Sequence, residues 1–461
     1  MTQTLTERFA REILALSYDD LPRTAIDVAK AVTLDGLAVM LAGATEPLGV
    51  GRISIDYVKM LGGAEQASVV AGGFRTSILN AAYANGTMAH ALDFDNTWYP
   101  LNHPTSPTLP AILAIAEHRN LPGRKVIEAI VAAFEVQGRL RMAATGMETG
   151  SGFHKPGMTG TFGATAGAGR LIDLTLDEML MALGLAGSRA GSISINTGTM
   201  TKSSHSGHAA RMGVECAVLA KMGWTASRHV FEAKGFFDTF FGGRGEPELL
   251  VENFAKSLRM VDPGVGFKKH PSNYFTHRPI DAALLLRRKH ALTVDDIASV
   301  EVVFPRFDYV NRPFPETGLD GKFSVQYATA IALLDGEVTV DSFTNERRFS
   351  KDVEALLPRV KLIVDDAIPS DFDRMHCVVT VTLRNGTRDS ERMEKLSGWI
   401  GQPLTREERL KKFHSCARRV LDNSAADRIV RLVDDLESLG DVREIMQIVS
   451  AAAPRKQTER T

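Results

Sequence analysis

Apolar positions in the first half of the chain recur in blocks of helical length, with little strand-like alternation. Residues 4–43 predict two helices broken near Leu21-Pro22. In the second, Ile26, Val32, Leu34, Val39 and Leu41 stand among alanines and glycines, an apolar surface nearly all round that suits a buried helix. Further helices are predicted over Ser77–His90, Leu109–Arg119, Gly123–Ala144, Gly160–Leu171, Thr175–Gly187 and Ala209–Met222. Thr175 followed by Glu178 has the spacing of a capping box.

The texture changes near residue 265. Ser299–Phe304, Val360–Val364 and His376–Leu383 are short β-branched runs, and Arg384-Asn385-Gly386-Thr387 after the last is a hairpin turn signal. Helical segments Pro279–His290, Phe323–Leu334 and Lys351–Leu357 are interleaved with them. From Thr405 to Val449 the pattern returns to amphipathic helix, with Leu421, Ile429, Leu432, Val433 and Leu436 facing inward. The reading is a mostly α protein with an α+β insert: a helical domain from residues 1–265 and 401–461, and a smaller α+β domain over 266–400.

Composition narrows the functional classes. A formal charge of −1 offers no basic field for nucleic acid or an anionic membrane. Cys216, Cys377 and Cys416 are too dispersed for a disulfide framework or a thiolate metal site, which suits a reducing compartment. The N-terminal MTQTLTERFAREILALSYDDLP mixes acids and bases and does not read as a signal peptide. Apolar runs are too short to span a bilayer, so a cytoplasmic protein is expected.

The chemistry-bearing residues fall in a few odd segments. ALDFDNTWYPLNHPTSP (91–107) brings Asp93, Asp95, Asn96, Thr97, Trp98, Tyr99 and His103 together on a stretch where Pro100, Pro104 and Pro107 oppose a continuous helix. Carboxylates, a hydroxyl and an imidazole so placed suggest acid–base chemistry, although turns and helix caps use the same residues. SGFHKPGMTG (151–160) carries His154 and Lys155; NTGTMTKSSHSGH (196–208) carries Lys202, His205 and His208; GVGFKKHPSNYFTH (264–277) carries Lys268, Lys269, His270 and His277. Each reads as a cationic loop at a helix start, an arrangement suited to a small polyanion. A lone lysine in any of them is equally a solvated surface charge. His205-x-x-His208 has the look of a metal pair, but no third ligand stands at a sensible distance. The glycines of 157–169 follow no strand, so close helix packing explains them better than phosphate binding. Tyr309-Val310-Asn311-Arg312-Pro313-Phe314-Pro315 is either a proline-braced connection or a contributor to a site.

Taken together, HALDFDNTW with the following HP, FHKPG before a Gly/Ala-rich helix, TKSSHSGHAA, FKKHPSNYFTH and FSVQYATAIALLDG resemble the MmgE/PrpD family, in the expected order across residues 90–336. The resemblance implies a large all-helical domain built from both chain ends, a smaller α+β lid domain, a homodimer, and no metal or organic cofactor. Family members act on di- and tricarboxylates, by 2-methylcitrate dehydration, cis-aconitate decarboxylation or iminodisuccinate epimerisation. Trp98-Tyr99-Pro100, Glu135–Leu140 (EVQGRL) and YVNRPFP resemble the decarboxylase branch, as does the short Asp93–His103 spacing. Asn96 and the absence of a proline after Lys202 depart from it. The resemblance implies Asp93, His103, His154, Lys202 and Lys268 as catalytic residues and Thr97 and Tyr309 as substrate-binding ones. On this reading His103 donates a proton, Asp93 orients it, and Lys202, Lys268 and His154 hold carboxylates. The expected partner is a small polycarboxylate, with cis-aconitate foremost and 2-methylcitrate or an epimerisable dicarboxylate such as iminodisuccinate as alternatives.

Overall fold

A computed structural model describes residues 3–144, 152–290 and 292–451. The chain is mostly helical, with one small mixed sheet in its C-terminal part. It divides into two compact units. The larger comprises residues 1–91, 95–267 and 406–461, and the smaller 92–94 and 268–405.

In the larger unit the principal helices are α1 (Leu5–Ala15), α2 (Arg23–Ala44), α3 (Val50–Leu61), α4 (Ile78–His90), α5 (Thr105–Arg119), α6 (Gly123–Ala143), α7 (Lys155–Leu171), α8 (Leu176–Arg189) and α9 (Met200–Lys221). The Thr175/Glu178 capping box opens α8. Helices α4, α5, α6 and α7 form the deep core and are buried almost all round, and α9 packs one face against them. That depth needs small residues where backbones meet. A Cβ on Gly207 of α9 would lie 2.1 Å from Thr87 Oγ1 and 2.4 Å from Tyr83 O of α4. One on Gly163 of α7 would lie 2.7 Å from Ala133 O of α6, so the glycine-rich segment serves helix packing.

Three helices start earlier than the sequence pattern predicts: α5 at Thr105, α7 at Lys155 and α9 at Met200. Proline is tolerated in a first turn, where no intrahelical donor is needed, so Pro107 and Pro156 sit inside α5 and α7. Pro110 lies deeper in α5, where it cannot donate to the preceding turn. At the start of the helix the Pro104 carbonyl accepts from Thr108 Oγ1 (2.6 Å) and Gln137 Nε2 (2.8 Å). In α9 the polar TKSSHSGH stretch is helical, with Lys202, Ser203, His205, Ser206 and Gly207 buried, not the loop that its composition suggests.

The smaller unit carries strands β1 (Ile297–Phe304), β2 (Val360–Val364), β3 (Cys377–Leu383) and β4 (Arg388–Met393) in the order β2-β1-β3-β4. Strands β1 and β2 are parallel; the other pairs are antiparallel. The Asn385-Gly386 turn makes the β3–β4 hairpin, with Gly386 at φ +87°. Strand β4 alternates charged and polar side chains (RDSERM) and has no apolar run to announce it. Helices α10 (His277–His290) and α11 (Val325–Asp335) belong to this unit. The chain then returns to the larger unit as α12 (Arg406–Ala417), α13 (Asn423–Asp434) and α14 (Arg443–Val449). Leu421, Ile429, Val433 and Leu436 are buried there, and Leu432 is half-buried.

Candidate active site

In the larger unit, four sequence-distant segments converge on one buried cluster. His90 is the last residue of α4, Asp95 and His103 lie in the connection to α5, His154 is the N-cap of α7, and Lys202 and His205 lie in the first two turns of α9. The Lys202 Nζ stands 2.9 Å from His90 Nε2, and His90 Nδ1 stands 2.9 Å from Asp95 Oδ1. Asp95 Oδ2 in turn faces His103 Nδ1 at 3.1 Å. The His103 ring packs edge-on against His90 with centroids 4.6 Å apart. His154 lies 5.6 Å from His90 by ring centroids, and its Nδ1 is 3.1 Å from His205 Nδ1.

Donor and acceptor roles follow from this line. A lysine ammonium only donates and a carboxylate only accepts. His90 must therefore accept at Nε2 and donate its Nδ1 proton to Asp95. His90 is 1 % exposed; burial and the Lys202 charge push its pKa down to about 4, so the ring stays neutral as the assignment requires. Burial pushes the Asp95 carboxyl up, but the His103 and His90 rings beside it outweigh that and hold it well below the usual carboxylate range. Burial and Lys202 likewise push His154 well below its ordinary value and His205 to about 4. The cluster thus holds an ionised carboxylate, a lysine and several imidazoles kept from charging. His90, Asp95 and His103 have donor atoms within 4.8 Å of one another, close enough to address a metal ion. A lysine 2.9 Å from His90 opposes a cation there and suits an anionic ligand better.

In the smaller unit, Asp93 is held in the left-handed region at φ +49°. Lys268 is 1 % exposed; its Nζ donates to Asp93 O at 2.6 Å and Ser272 O at 3.1 Å and lies 3.3 Å from Asp93 Oδ2. Asn273 Nδ2 donates to Asp93 Oδ2 at 3.4 Å. Lys269 is more open and pairs with Asp281 at 2.9 Å. Tyr309 is 38 % exposed and meets Phe275 edge-on at 6.1 Å.

The residues expected from sequence therefore fall into two groups. His103, His154 and Lys202 come together in the larger unit, and Asp93 and Lys268 in the smaller. Thr97 is buried in the larger unit in a two-residue ladder with Gly266, and its hydroxyl has no hydrogen-bond partner among the described residues. One expected role changes: the carboxylate placed against the His103 ring nitrogen is Asp95, whereas Asp93 is engaged by Lys268. His90 received no role from the sequence, Asp95 counted only as one carboxylate of the 91–107 segment, and His205 only as part of a cationic loop. The signal was present in HALDFD, where the last residue of a helix precedes a carboxylate by five positions. His205 faces His154, while His208 is exposed, so the HxxH spacing marks no converging pair.

Residues 7–248 match the MmgE/PrpD N-terminal domain, and residues 270–438 match the MmgE/PrpD C-terminal domain. The chain belongs to the MmgE/PrpD family. Among MmgE/PrpD relatives, cis-aconitate decarboxylase of Mus musculus is 32% identical, over 97% of this chain and 94% of its own length. The Homo sapiens cis-aconitate decarboxylase is 31% identical over 98% and 96%. A 2-methylcitrate dehydratase of Salmonella typhimurium is 26% identical over 85% of this chain and 86% of its own. Both activities are lyase reactions, which sets the class of chemistry for an MmgE/PrpD chain with this cluster. Among the described residues no helix is long and apolar enough to cross a membrane.

Proposed function

We propose that this chain is a cis-aconitate decarboxylase forming itaconate. The observation that carries the reading is the line Lys202–His90–Asp95–His103, which presents an oriented imidazole beside fixed positive charge. When the carboxylate on the methylene carbon of cis-aconitate leaves as CO2, its bonding pair forms a new double bond to the central carbon. The former double bond moves its electrons onto the far carbon, α to a second carboxylate. That carbanion is a dianionic enolate and needs both cationic stabilisation and a proton. The donor in this reading is the His103 imidazolium: it gives its Nε2 proton to the carbanion, keeps the Nδ1 proton toward Asp95, and regains the lost proton from water.

Lys202 and His154 hold carboxylates in this reading, with His205 setting the His154 ring. The buried Thr97 hydroxyl donates to the substrate. Lys268 acts first by fixing the backbone and carboxylate of Asp93, with its charge felt through that pair. Support for decarboxylation over dehydration comes from the higher identity and fuller coverage of the mammalian decarboxylases.

The test is NMR of the purified protein in D2O with cis-aconitate, 2-methylcitrate or iminodisuccinate. Expected is itaconate carrying one deuterium on its methylene beside the carboxylate, formed only from cis-aconitate. Water loss from 2-methylcitrate without itaconate formation would move the chain to the dehydratases, and deuterium exchange into iminodisuccinate alone would make it an epimerase. His103→Ala and Lys202→Ala, checked for folding by thermal melt, should each lose turnover; a variant near wild type refutes that residue's role.

A further inference from the structure

A second buried charge pair lies behind the histidine cluster, within the larger unit. Asp35 of α2 is 7 % exposed and Lys412 of α12 is 8 % exposed. The Lys412 Nζ stands 2.7 Å from Asp35 Oδ1. The other oxygen, Asp35 Oδ2, accepts from Asn96 Nδ2 at 3.3 Å. Asn96 is fully buried, and its Oδ1 accepts from Thr105 Oγ1, the first residue of α5, at 2.9 Å. Asn96 is thereby gripped at both ends of its amide, and the next residue in the chain is Asp95.

A buried ion pair is a poor device for stability, since apolar side chains of similar volume often replace one without loss. Its asset is direction. With Lys412 engaging one oxygen, the Asp35 carboxylate is fixed in orientation, and its second oxygen fixes Asn96. The peptide joining Asn96 to Asp95 is then set from helices at opposite ends of the chain. Arg409, one turn before Lys412 on α12, adds positive charge near Asp35.

We propose that Asp35, Lys412 and Asn96 are positioning residues for Asp95, and through it for His90 and His103. The role in turnover rests on the decarboxylase reading; the effect on the histidine rings does not. The probe is Asp35→Leu/Lys412→Met, which removes both charges together and leaves no bare ion behind. Two readouts separate the claims. In 15N-histidine-labelled protein without substrate, the Nδ1–H resonance of His90, assigned by its loss in His90→Gln, should shift or broaden. With cis-aconitate, kcat should fall about ten-fold or more, as misplacement of an acid–base group does, with KM changed less than about three-fold and a cooperative melt retained. An unmoved His90 resonance in the folded double variant overturns the proposal. A moved resonance with wild-type kcat overturns the catalytic part. Should the wild type turn over no substrate, the proposed activity has failed and the spectrum alone still decides the positioning. If the double variant does not fold, Asn96→Ala cuts the link by itself and is read by the same two measurements.

Discussion

Asp95→Asn tests the hydrogen-bond line most directly. Asp95 is fully buried, with His90 Nδ1 at 2.9 Å from one oxygen and His103 Nδ1 at 3.1 Å from the other. Asparagine keeps the shape but offers one acceptor and one donor where two acceptors stood. His90 cannot change tautomer without placing an Nε2 proton against the Lys202 ammonium 2.9 Å away. The amide oxygen therefore stays with His90, and the NH2 group turns to His103. A protonated His103 then meets a donor where it had a carboxylate. Losing one charge-assisted hydrogen bond is worth about 1.5–3 kcal/mol, which is roughly 10- to 150-fold in rate. The expected result is a fall in kcat of about a hundred-fold, with little change in KM. The assay is itaconate formation by NMR across a pH series, alongside a thermal melt. A folded Asp95→Asn protein with kcat within about two-fold of wild type refutes the assigned tautomers.

Stability should fall in mild acid. His90 has a folded pKa of about 4 against an ordinary value of 6.5, so between those values the unfolded chain binds a proton that the fold does not. Its contribution is present above the unfolded value and is lost as pH drops toward 4, up to about 3 kcal/mol. A melting temperature that stays flat from pH 7 to 4.5 counts against this, and His90→Gln should reduce the slope. Gly207→Ala drives a methyl into Thr87 and Tyr83 O of α4; it should destabilise by about 1–3 kcal/mol and depress kcat, because α4 and α9 carry His90 and Lys202. Chemical denaturation unchanged from wild type would show that the two helices part freely. Lys268→Met leaves the buried Asp93 carboxylate without its main cation and should destabilise by about 3–5 kcal/mol. Lys269→Met at the more open pair with Asp281 should change stability by less than about 1 kcal/mol. Equal effects at the two positions would refute the clamp assigned to Lys268.

The mostly helical character, the β3–β4 turn and the α8 capping box are legible because each depends on local spacing: blocks of helical length, an Asn-Gly pair, a Thr-to-Glu interval of three. The early starts of α5, α7 and α9 are not legible in the same way. In α9 the buried face itself carries a lysine, a histidine and serines, so the segment looks like a loop until neighbouring helices are seen to enclose that face. Strand β4 is the reverse case, a charged edge whose pairing with β3 supplies what its own pattern lacks.

The same division runs through the site. The motifs shared with the MmgE/PrpD family were enough to nominate His103, His154, Lys202, Lys268 and Asp93 as candidates. Which carboxylate serves which base was not in the sequence. Asp93 and Asp95 are two residues apart and chemically alike, yet one is engaged by Lys268 and the other lies between two histidines. Hydrogen bonding is decided over tenths of an ångström and by direction, and those quantities exist only once helices from distant parts of the chain have packed. Sequence determined the inventory of acids, bases and cations; tertiary structure decided their pairing, and with it which proton can move.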